Sequence, residues 1–252
     1  MQHFYVFNFN KKKRFFAIVL LGLITAFFII IEPARFLFVF SKDQQTALTK
    51  GNIDENQLAL TFNISWGEEK VFDILNVLKE QDVRATFFVS GEWAERHPQI
   101  IEKITEDKHE LGMLGYRYKS YLEQDIEQVR KDISYAKQVF EKLGFDDINY
   151  IRPPSGHFNK EIVKLAEDNG LEVIHWSVNP NDWENPGTKE ITDHVLKEVK
   201  SGDIVLLHAS DSAKQTANAL QSILPHFKEE KLTFVTISEL INGVQAKEKL
   251  VE

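Results

Sequence analysis

From Leu58 almost to the end of the chain, short apolar segments typical of strands alternate with amphipathic helical segments. Strand segments lie at residues 84–90, 110–113, 172–178 and 204–207, and a long helical face runs from Ile126 to Phe140. This repeated alternation predicts an α/β fold with a parallel sheet covered by helices. No glycine-rich phosphate-binding loop accompanies these units, which favours a (β/α) barrel over a nucleotide-binding sheet.

The first 57 residues do not follow this pattern. A basic cluster at residues 11–14 precedes an uncharged apolar run at residues 15–31. At ~1.5 Å per residue this run reaches ~25 Å, enough to cross a thin bilayer. The basic cluster should remain cytoplasmic, so the rest of the chain is expected outside the cell membrane.

The alternative is a cleaved signal peptide. The apolar run is long for that, and no A-x-A-like cleavage site follows it, so an uncleaved single-pass anchor is favoured. The predicted organisation is as follows: a cytoplasmic basic N-terminus at 1–14, a transmembrane helix at 15–31, a linker at 32–57, one domain at 58–241 and a C-terminal tail at 242–252.

Charge and cysteine content exclude several kinds of function. The net charge of the 252 residues is −8, and the first 50 residues carry seven basic and two acidic side chains, which leaves −13 for the remainder. A domain with this negative charge is a poor partner for nucleic acid, because phosphate contacts require clustered Lys and Arg. The absence of cysteine excludes disulfides, thiol catalysis and Cys-ligated zinc.

Polar residues gather where the predicted strands end. In a barrel the carboxyl ends of the strands surround one opening, here called the mouth, and this is where such folds place their chemistry. The segments that the alternation brings to the mouth are residues 63–67, residues 112–118, residues 152–157, Asp182 with Trp183, and His208.

Five motifs lie on or beside these segments: Thr61-Phe62 with Gly67, His109-Glu110-Leu111-Gly112, Arg152-Pro153-Pro154 with Gly156, Asp182-Trp183, and Leu206-Leu207-His208. In this order they resemble the polysaccharide deacetylase family, also called carbohydrate esterase family 4 or the NodB homology domain. The resemblance implies a distorted (β/α) barrel and metal-assisted hydrolysis of an N-acetyl amide, with zinc or another divalent metal. Residues 64–67 and 201–211 further resemble a PdaB-like sporulation subgroup, which implies a membrane-anchored protein of the spore envelope.

The chain departs from the family pattern at the base and at every metal ligand. The base position is Asn63, and an amide does not accept a proton near neutral pH. The metal-aspartate position is Ile64, and the two histidine positions are Leu114 and Tyr118. Zinc needs three or four N, O or S ligands, so no metal cofactor is expected. Leu114 and Tyr118 are interpreted as apolar filling of the former site.

Three residues of the family's catalytic set remain. The resemblance implies that Arg152 orients the base, that His208 is the general acid and that Asp182 tunes His208. Each also has a structural interpretation: Arg152 could stabilise a rigid turn, Asp182 could cap a loop, and His208 could be a satisfied core residue. Because the carboxylate opposite Arg152 is missing, this arginine could instead bind substrate or an anion.

The predicted substrate-binding residues lie on the same loops: Trp66, Trp183, Tyr118, Pro153 and Gly156. An indole on a mouth loop can stack on a sugar ring, although a tryptophan is more often part of the core. His157 is the only other histidine near the mouth, and a replacement metal site built on it is a remote alternative.

The sequence therefore predicts a membrane-anchored deacetylase homologue that acts on or binds peptidoglycan or another N-acetylated glycan. With its base and metal ligands replaced, its deacetylase activity should be weak or lost. Two alternatives stay open. One is a metal-independent amide or ester hydrolase that uses His208, Asp182 and Arg152. The other is a purely structural protein of the spore envelope.

Overall fold

The computed structural model describes residues 46–248, in which strands and helices alternate as predicted. The strands are β1 (Gln57–Ile64), β2 (Thr86–Val89), β3 (Glu110–Met113), β4 (Tyr150–Ile151), β5 (Glu172–Val173), β6 (Ile204–His208) and β7 (Thr233–Phe234). The α-helices are α1 (Lys70–Glu80), α2 (Gly91–Arg96), α3 (Pro98–Glu106), α4 (Ile126–Lys142), α5 (Lys160–Asp168), α6 (Thr188–Glu198), α7 (Thr216–Glu229) and α8 (Ile237–Glu248).

The strands pair in parallel in the order β5-β4-β3-β2-β1-β6, with β7 beside the start of β1. After β5 the chain continues to β6, where Val178 forms a parallel bridge with Val205. The Leu206 N–H donates to the Val178 carbonyl at 2.9 Å. This bridge connects the two ends of the strand order, so the α/β sheet returns on itself as a distorted (β/α) barrel.

Side chains along β1 alternate between the helices and the barrel interior, as the two-residue period of a strand requires. Phe62 belongs to the large apolar cluster that includes the helices, whereas Ala59 belongs to a smaller cluster within the barrel. Leu240 of α8 joins that smaller cluster and closes the end of the barrel opposite the mouth. Asn63 is in phase with Ala59 and therefore faces the interior at the mouth.

The folded unit begins before the predicted domain boundary at Leu58, and this corrects the extent of the linker predicted at 32–57. The Leu48 N–H donates to the Val173 carbonyl at 2.8 Å, and the His175 N–H donates to the Leu48 carbonyl at 2.7 Å. On the other side, Lys50 pairs with β6 through Asp203, with an ion pair of 2.8 Å. This short segment fills the gap in the barrel wall between β5 and β6.

Two further boundaries differ from the sequence prediction. The tail predicted at 242–252 begins inside α8, which continues to Glu248. The strand predicted at 172–178 is regular only at Glu172–Val173, because beyond it the backbone changes partners from β4 to Leu48 and then to β6.

The predicted basic N-terminus and transmembrane helix lie outside the described residues. Among the helices of residues 46–248, none combines the length and the hydrophobicity that crossing a bilayer demands.

Candidate functional site

Arg152 lies at the centre of the mouth, directly after β4, and its side chain is fully buried. Its Nη1 donates to Asn63 Oδ1 at 3.0 Å, and its Nη2 donates to Thr61 Oγ1 at 2.9 Å and to the His175 carbonyl at 3.0 Å. Nε donates to the Ile174 carbonyl at 3.3 Å. All of these acceptors are neutral, and Arg152 forms no ion pair with any residue at 46–248.

Aromatic rings and burial complete the surroundings of this guanidinium. Its Cζ lies 4.1 Å from the centre of the Phe88 ring and 5.5 Å from that of Trp176, so both π faces contribute attraction to the cation. Burial lowers the pKa of Arg152 to about 9, and an electrostatic interaction with the nearby Tyr118 opposes this shift. Arg152 therefore remains charged at neutral pH.

His208 and Asp182 form a hydrogen-bonded pair beside this cluster. His208 Nδ1 lies 2.7 Å from Asp182 Oδ1, and the His208 backbone N–H donates to Asp182 Oδ2 at 2.8 Å. Thr216 Oγ1 donates to the same oxygen at 2.7 Å. Asp182 is fully buried, while the His208 side chain is 15% exposed. The carboxylate therefore fixes the ring with Nδ1 protonated and leaves Nε2 for the mouth.

A short 3₁₀ turn, Asp182–Glu184, places this carboxylate. The residues on either side of it, Asn181 and Asn185, have left-handed backbone angles, with φ of 53° and 55°. Asparagine tolerates this region better than most residues. The Asn185 side chain also links the turn to the loop after β6, through the Ser212 carbonyl at 2.7 Å and the Lys214 N–H at 2.9 Å.

Strand register brings the two groups together. Asn63 of β1 is paired with His208 of β6, and paired residues of neighbouring parallel strands point to the same face of the sheet. Asn63 is only 4% exposed. The structure thus unites Asn63, Arg152, Asp182 and His208, the four residues that the sequence assigned to the catalytic set.

The positions of the family's metal ligands do not suit a metal ion. Ile64 is fully buried and packs in the cluster between sheet and helices, and Leu114 is fully buried within the barrel. Tyr118 is 42% exposed and interacts electrostatically with Arg152, so its interpretation as filling of the former site stays a prediction. Within residues 46–248, no three His, Asp or Glu side chains are grouped in a way that could hold a metal. The donor set therefore does not fit zinc.

The predicted substrate-binding residues divide into two kinds. Trp66 and Trp183 are exposed on loops at the mouth, by 53% and 49%, in the same way as Tyr118. Pro153 is buried, and Gly156 has φ of 70°, with Trp176 so close that a Cβ would lie 2.3 Å from its ring. These last two residues shape the turn after Arg152.

Sequence reasoning missed Asp132, which fastens the loop after β3. This buried carboxylate of α4 accepts hydrogen bonds from the Tyr116 N–H at 2.8 Å, the Arg117 N–H at 2.9 Å and the Tyr121 hydroxyl at 2.9 Å. Burial raises its pKa, and these hydrogen bonds oppose the rise. Nothing in the helical pattern of α4 pointed to this role, because the partners lie 11 to 16 residues earlier.

The loops after β1 and β6 are joined by a second carboxylate that the sequence did not indicate. Asp211 accepts hydrogen bonds from the backbone N–H groups of Glu68, Glu69 and Lys70 at 2.9 to 3.1 Å. These groups lead into α1, where a carboxylate is stabilising because the first N–H groups of a helix lack partners. Asp211 thereby fixes the loop that carries Trp66.

This protein is a parallel (β/α) barrel with a buried arginine and an Asp–His pair at its mouth. It therefore belongs to the class of barrels that carry a polar site at their strand ends. Comparison with known proteins then identifies the family. The model of the polysaccharide deacetylase family matches residues 50–174. A peptidoglycan-N-acetylglucosamine deacetylase of Bacillus cereus is 35% identical over 191 residues, which are 75% of this chain and 89% of that protein. The chain belongs to the polysaccharide deacetylase family.

Other relatives and solved structures agree with this assignment. The peptidoglycan-N-acetylmuramic acid deacetylase PdaA of Bacillus subtilis is 29% identical over 203 residues, 79% of this chain and 76% of that protein. The solved structure of PdaA, described as a family 4 carbohydrate esterase, gives a TM-score of 0.72 at 28% identity, and the match covers 78% of this chain and 85% of the PdaA chain. A CE4 family pseudoenzyme from Bacillus anthracis gives 0.74 at 28% identity, covering 78% and 69%.

Proposed function

We propose that this protein binds peptidoglycan or a related N-acetylated glycan at its mouth and has weak or no N-deacetylase activity. The observation that carries the proposal is the composition of the site. Arg152, Asp182 and His208 are assembled, but an amide stands at the base position and aliphatic side chains stand at two metal-ligand positions.

The expected loss of activity follows from what these residues can do. Asn63 cannot take a proton from water, because an amide oxygen is too weakly basic to hold a proton near neutral pH, and this oxygen also accepts a hydrogen bond from the Arg152 cation. His208 can deliver a proton to a leaving amine, but that step comes after attack on the carbonyl. Electrostatic stabilisation of the developing oxyanion is usually the largest contribution to such catalysis, and the residues that would supply it through a metal are absent here.

The glycan ligand is inferred from the relatives and from the rim of the mouth. Several relatives are named peptidoglycan deacetylases. The indoles of Trp66 and Trp183 are about half exposed on two mouth loops, and an exposed aromatic ring can stack on the apolar face of a sugar.

The cellular setting is part of the same proposal. Residues 15–31 anchor the chain in the cell membrane with residues 1–14 in the cytoplasm, so the barrel faces the cell wall. The resemblance of residues 64–67 and 201–211 to the PdaB-like sporulation subgroup supports a role at the spore envelope.

The test combines binding, activity and metal content of the purified full chain in detergent. We expect retention on insoluble peptidoglycan, no stoichiometric metal, and little acetate release from N-acetylated glycan. Trp183→Ala should weaken retention, whereas Ile53→Ala, which removes an exposed apolar side chain ahead of the start of β1, at the end of the barrel opposite the mouth, should not. Stoichiometric metal together with rapid acetate release would overturn the proposal, and a lack of retention would favour a structural envelope protein.

A second function is favoured by one observation, the 2.7 Å contact between His208 Nδ1 and Asp182. A histidine held by a buried carboxylate can act as a base, and Arg152 could stabilise an oxyanion in a metal-independent amide or ester hydrolase. This candidate predicts turnover of activated esters that persists under a chelator and disappears in His208→Ala. Turnover that a chelator removes would contradict it.

A further inference from the structure

The orientation of the Asn63 amide is fixed by its neighbour. An arginine can only donate hydrogen bonds, so the atom 3.0 Å from Arg152 Nη1 must be the amide oxygen. The amide nitrogen Nδ2 therefore points away from Arg152. It has no hydrogen-bond partner within residues 46–248, and it is not one of their fully enclosed polar atoms, so its N–H groups face the mouth.

The position at which family members carry a proton acceptor thus presents a hydrogen-bond donor in this chain. Because Arg152 bonds to the amide oxygen, it also withdraws electron density from the amide and strengthens its N–H groups as donors. A ligand atom at this point must be an acceptor, which is the opposite of what an aspartate base would require.

His208 supplies the second donor. His208 of β6 is paired with Asn63 of β1, and neighbouring strands lie about 4.8 Å apart. Since Nδ1 is bonded to Asp182, Nε2 is the nitrogen left for the mouth, and it donates when the ring is an imidazolium.

The charges around the pair favour an anion over a neutral acceptor. The Arg152 guanidinium is fully buried behind Asn63, and no residue at 46–248 supplies a carboxylate to it. A buried cation without an anion nearby is unfavourable. An anionic ligand at Asn63 would therefore gain from the Arg152 charge as well as from two hydrogen bonds.

We propose that Asn63 Nδ2 and His208 Nε2, backed by Arg152, form a binding site for a carboxylate group. This inference rests on the proposed function and deepens it, because it specifies the part of the ligand that the mouth recognises. The carboxylate can come from a small free acid such as acetate, or from a sugar acid such as N-acetylmuramic acid in a glycan strand.

The decisive variant is Asn63→Asp, which replaces the donor by an acceptor at the same position. It places a carboxylate next to Arg152, so the variant should remain folded, and a loss of binding cannot then be ascribed to unfolding. Acetate binding is measured on the full chain by nuclear magnetic resonance titration, with acetamide as the neutral analogue of the same shape.

We expect saturable binding of acetate to the wild-type protein, with acetamide and the Asn63→Asp variant each at least about tenfold weaker, a difference of ~1.4 kcal/mol. Arg152→Lys keeps a cation but not the fork that orients Asn63, and it should also weaken acetate binding. Equal binding of acetate to the wild type and to Asn63→Asp would overturn the proposal, as would the absence of any saturable shift in the wild type.

A second arm distinguishes the two sources of the carboxylate. If N-acetylmuramic acid binds more tightly than both acetate and N-acetylglucosamine, the site recognises a sugar acid. If acetate binds as tightly as N-acetylmuramic acid, the site recognises the free acid. Retention on peptidoglycan is measured separately, so failure of the carboxylate site and failure of the proposed glycan binding give different results.

Discussion

A guanidinium buried without a carboxylate beside it must be held by neutral oxygens, and in this protein they come from Asn63, Thr61 and two backbone carbonyls. Hydrogen bonds from a charged donor are stronger than those between neutral groups, so the arrangement is stable. It nevertheless lacks the ion pair that a carboxylate would supply. Among changes to single residues, replacing the amide nitrogen of Asn63 by oxygen should therefore have the largest effect on stability.

The first prediction concerns stability of the Asn63→Asp variant. The new carboxylate would lie about where Asn63 Oδ1 now contacts Arg152, and we expect the free energy of unfolding to rise by ~2–4 kcal/mol at neutral pH. Arg152 holds the pKa of such a carboxyl below its usual value of about 4, so the gain should disappear as the pH falls through that lowered pKa. Denaturant unfolding at pH 7 and at acid pH measures both. An unchanged or lower stability at pH 7 would contradict the prediction.

His109 gives the second prediction, which concerns pH. Its Nδ1 accepts a hydrogen bond from the Ala85 N–H at 3.2 Å, and burial lowers its pKa to about 4. In the unfolded chain a histidine has a pKa of about 6.5, so the unfolded state binds the proton first as the pH falls. We expect the wild-type protein to lose up to ~3 kcal/mol between about pH 6.5 and pH 4 through this group.

The matched variant for this test is His109→Asn, whose amide oxygen can still accept from Ala85 but does not titrate. The stability of the variant should depend less steeply on pH over this window, as measured by denaturant unfolding at several pH values. Parallel pH profiles for the two proteins would show that His109 is not the group responsible.

At the scale of single elements, the loop after β3 depends on one carboxylate of α4. Asp132 accepts hydrogen bonds from two backbone N–H groups and from the Tyr121 hydroxyl, and Gly115 allows the loop to pass close by, with φ of 78°. Tyr118 lies on this loop. The position of its ring at the mouth is therefore set by a residue on the neighbouring helix.

The third prediction tests this support. Asp132→Ala leaves three donors without their acceptor, among them the buried Tyr121 hydroxyl, and we expect it to cost ~2–4 kcal/mol of stability and to speed amide hydrogen exchange at residues 115–121. Glu141→Ala, which alters an exposed acid on the same helix, serves as the control and should change neither quantity. Unchanged exchange in the Asp132 variant would mean that other contacts hold the loop.

The sequence predicted most elements because their periodicity is local. The strand at Glu110–Met113 has the predicted bounds, and α4 ends just before Gly144, whose φ of 85° suits a helix C-terminus. The strand at 172–178 was predicted too long, because its apolar pattern continues after the ladder has changed partners. The residues of a strand do not show which neighbouring segment its backbone pairs with.

At the scale of the whole molecule, the barrel is completed by a segment that the sequence pattern assigned to a linker. Leu48 bridges to β5 and Lys50 to β6, while the Gly51 N–H donates to the Gly202 carbonyl at 2.7 Å. His175, whose carbonyl accepts from Arg152, is itself bonded to Leu48. The wall segment therefore supports the site as well as the fold.

The fourth prediction compares two truncated chains, one that begins at residue 45 and one that begins at residue 58. The shorter chain loses these backbone hydrogen bonds and leaves Asp203, which is 3% exposed, without Lys50. We expect it to unfold several degrees lower, or to fail to fold, since a net loss of ~1 kcal/mol for each hydrogen bond adds to an unpaired buried charge. Thermal unfolding followed by circular dichroism measures the difference, and equal midpoints would contradict it.

By itself, the sequence determined the alternation of strands and helices, the set of strand-end motifs and the replacement of the base and metal ligands. Each of these can be recognised from residues that are close together in the chain. Only the tertiary structure decided that the amide of Asn63 turns its oxygen to Arg152 and its nitrogen to the mouth, and that residues 46–51 belong to the barrel wall. The physical reason is the same in both cases: hydrogen-bond partners 89 or more residues apart, with no periodicity connecting them, are chosen by packing and not by local preference.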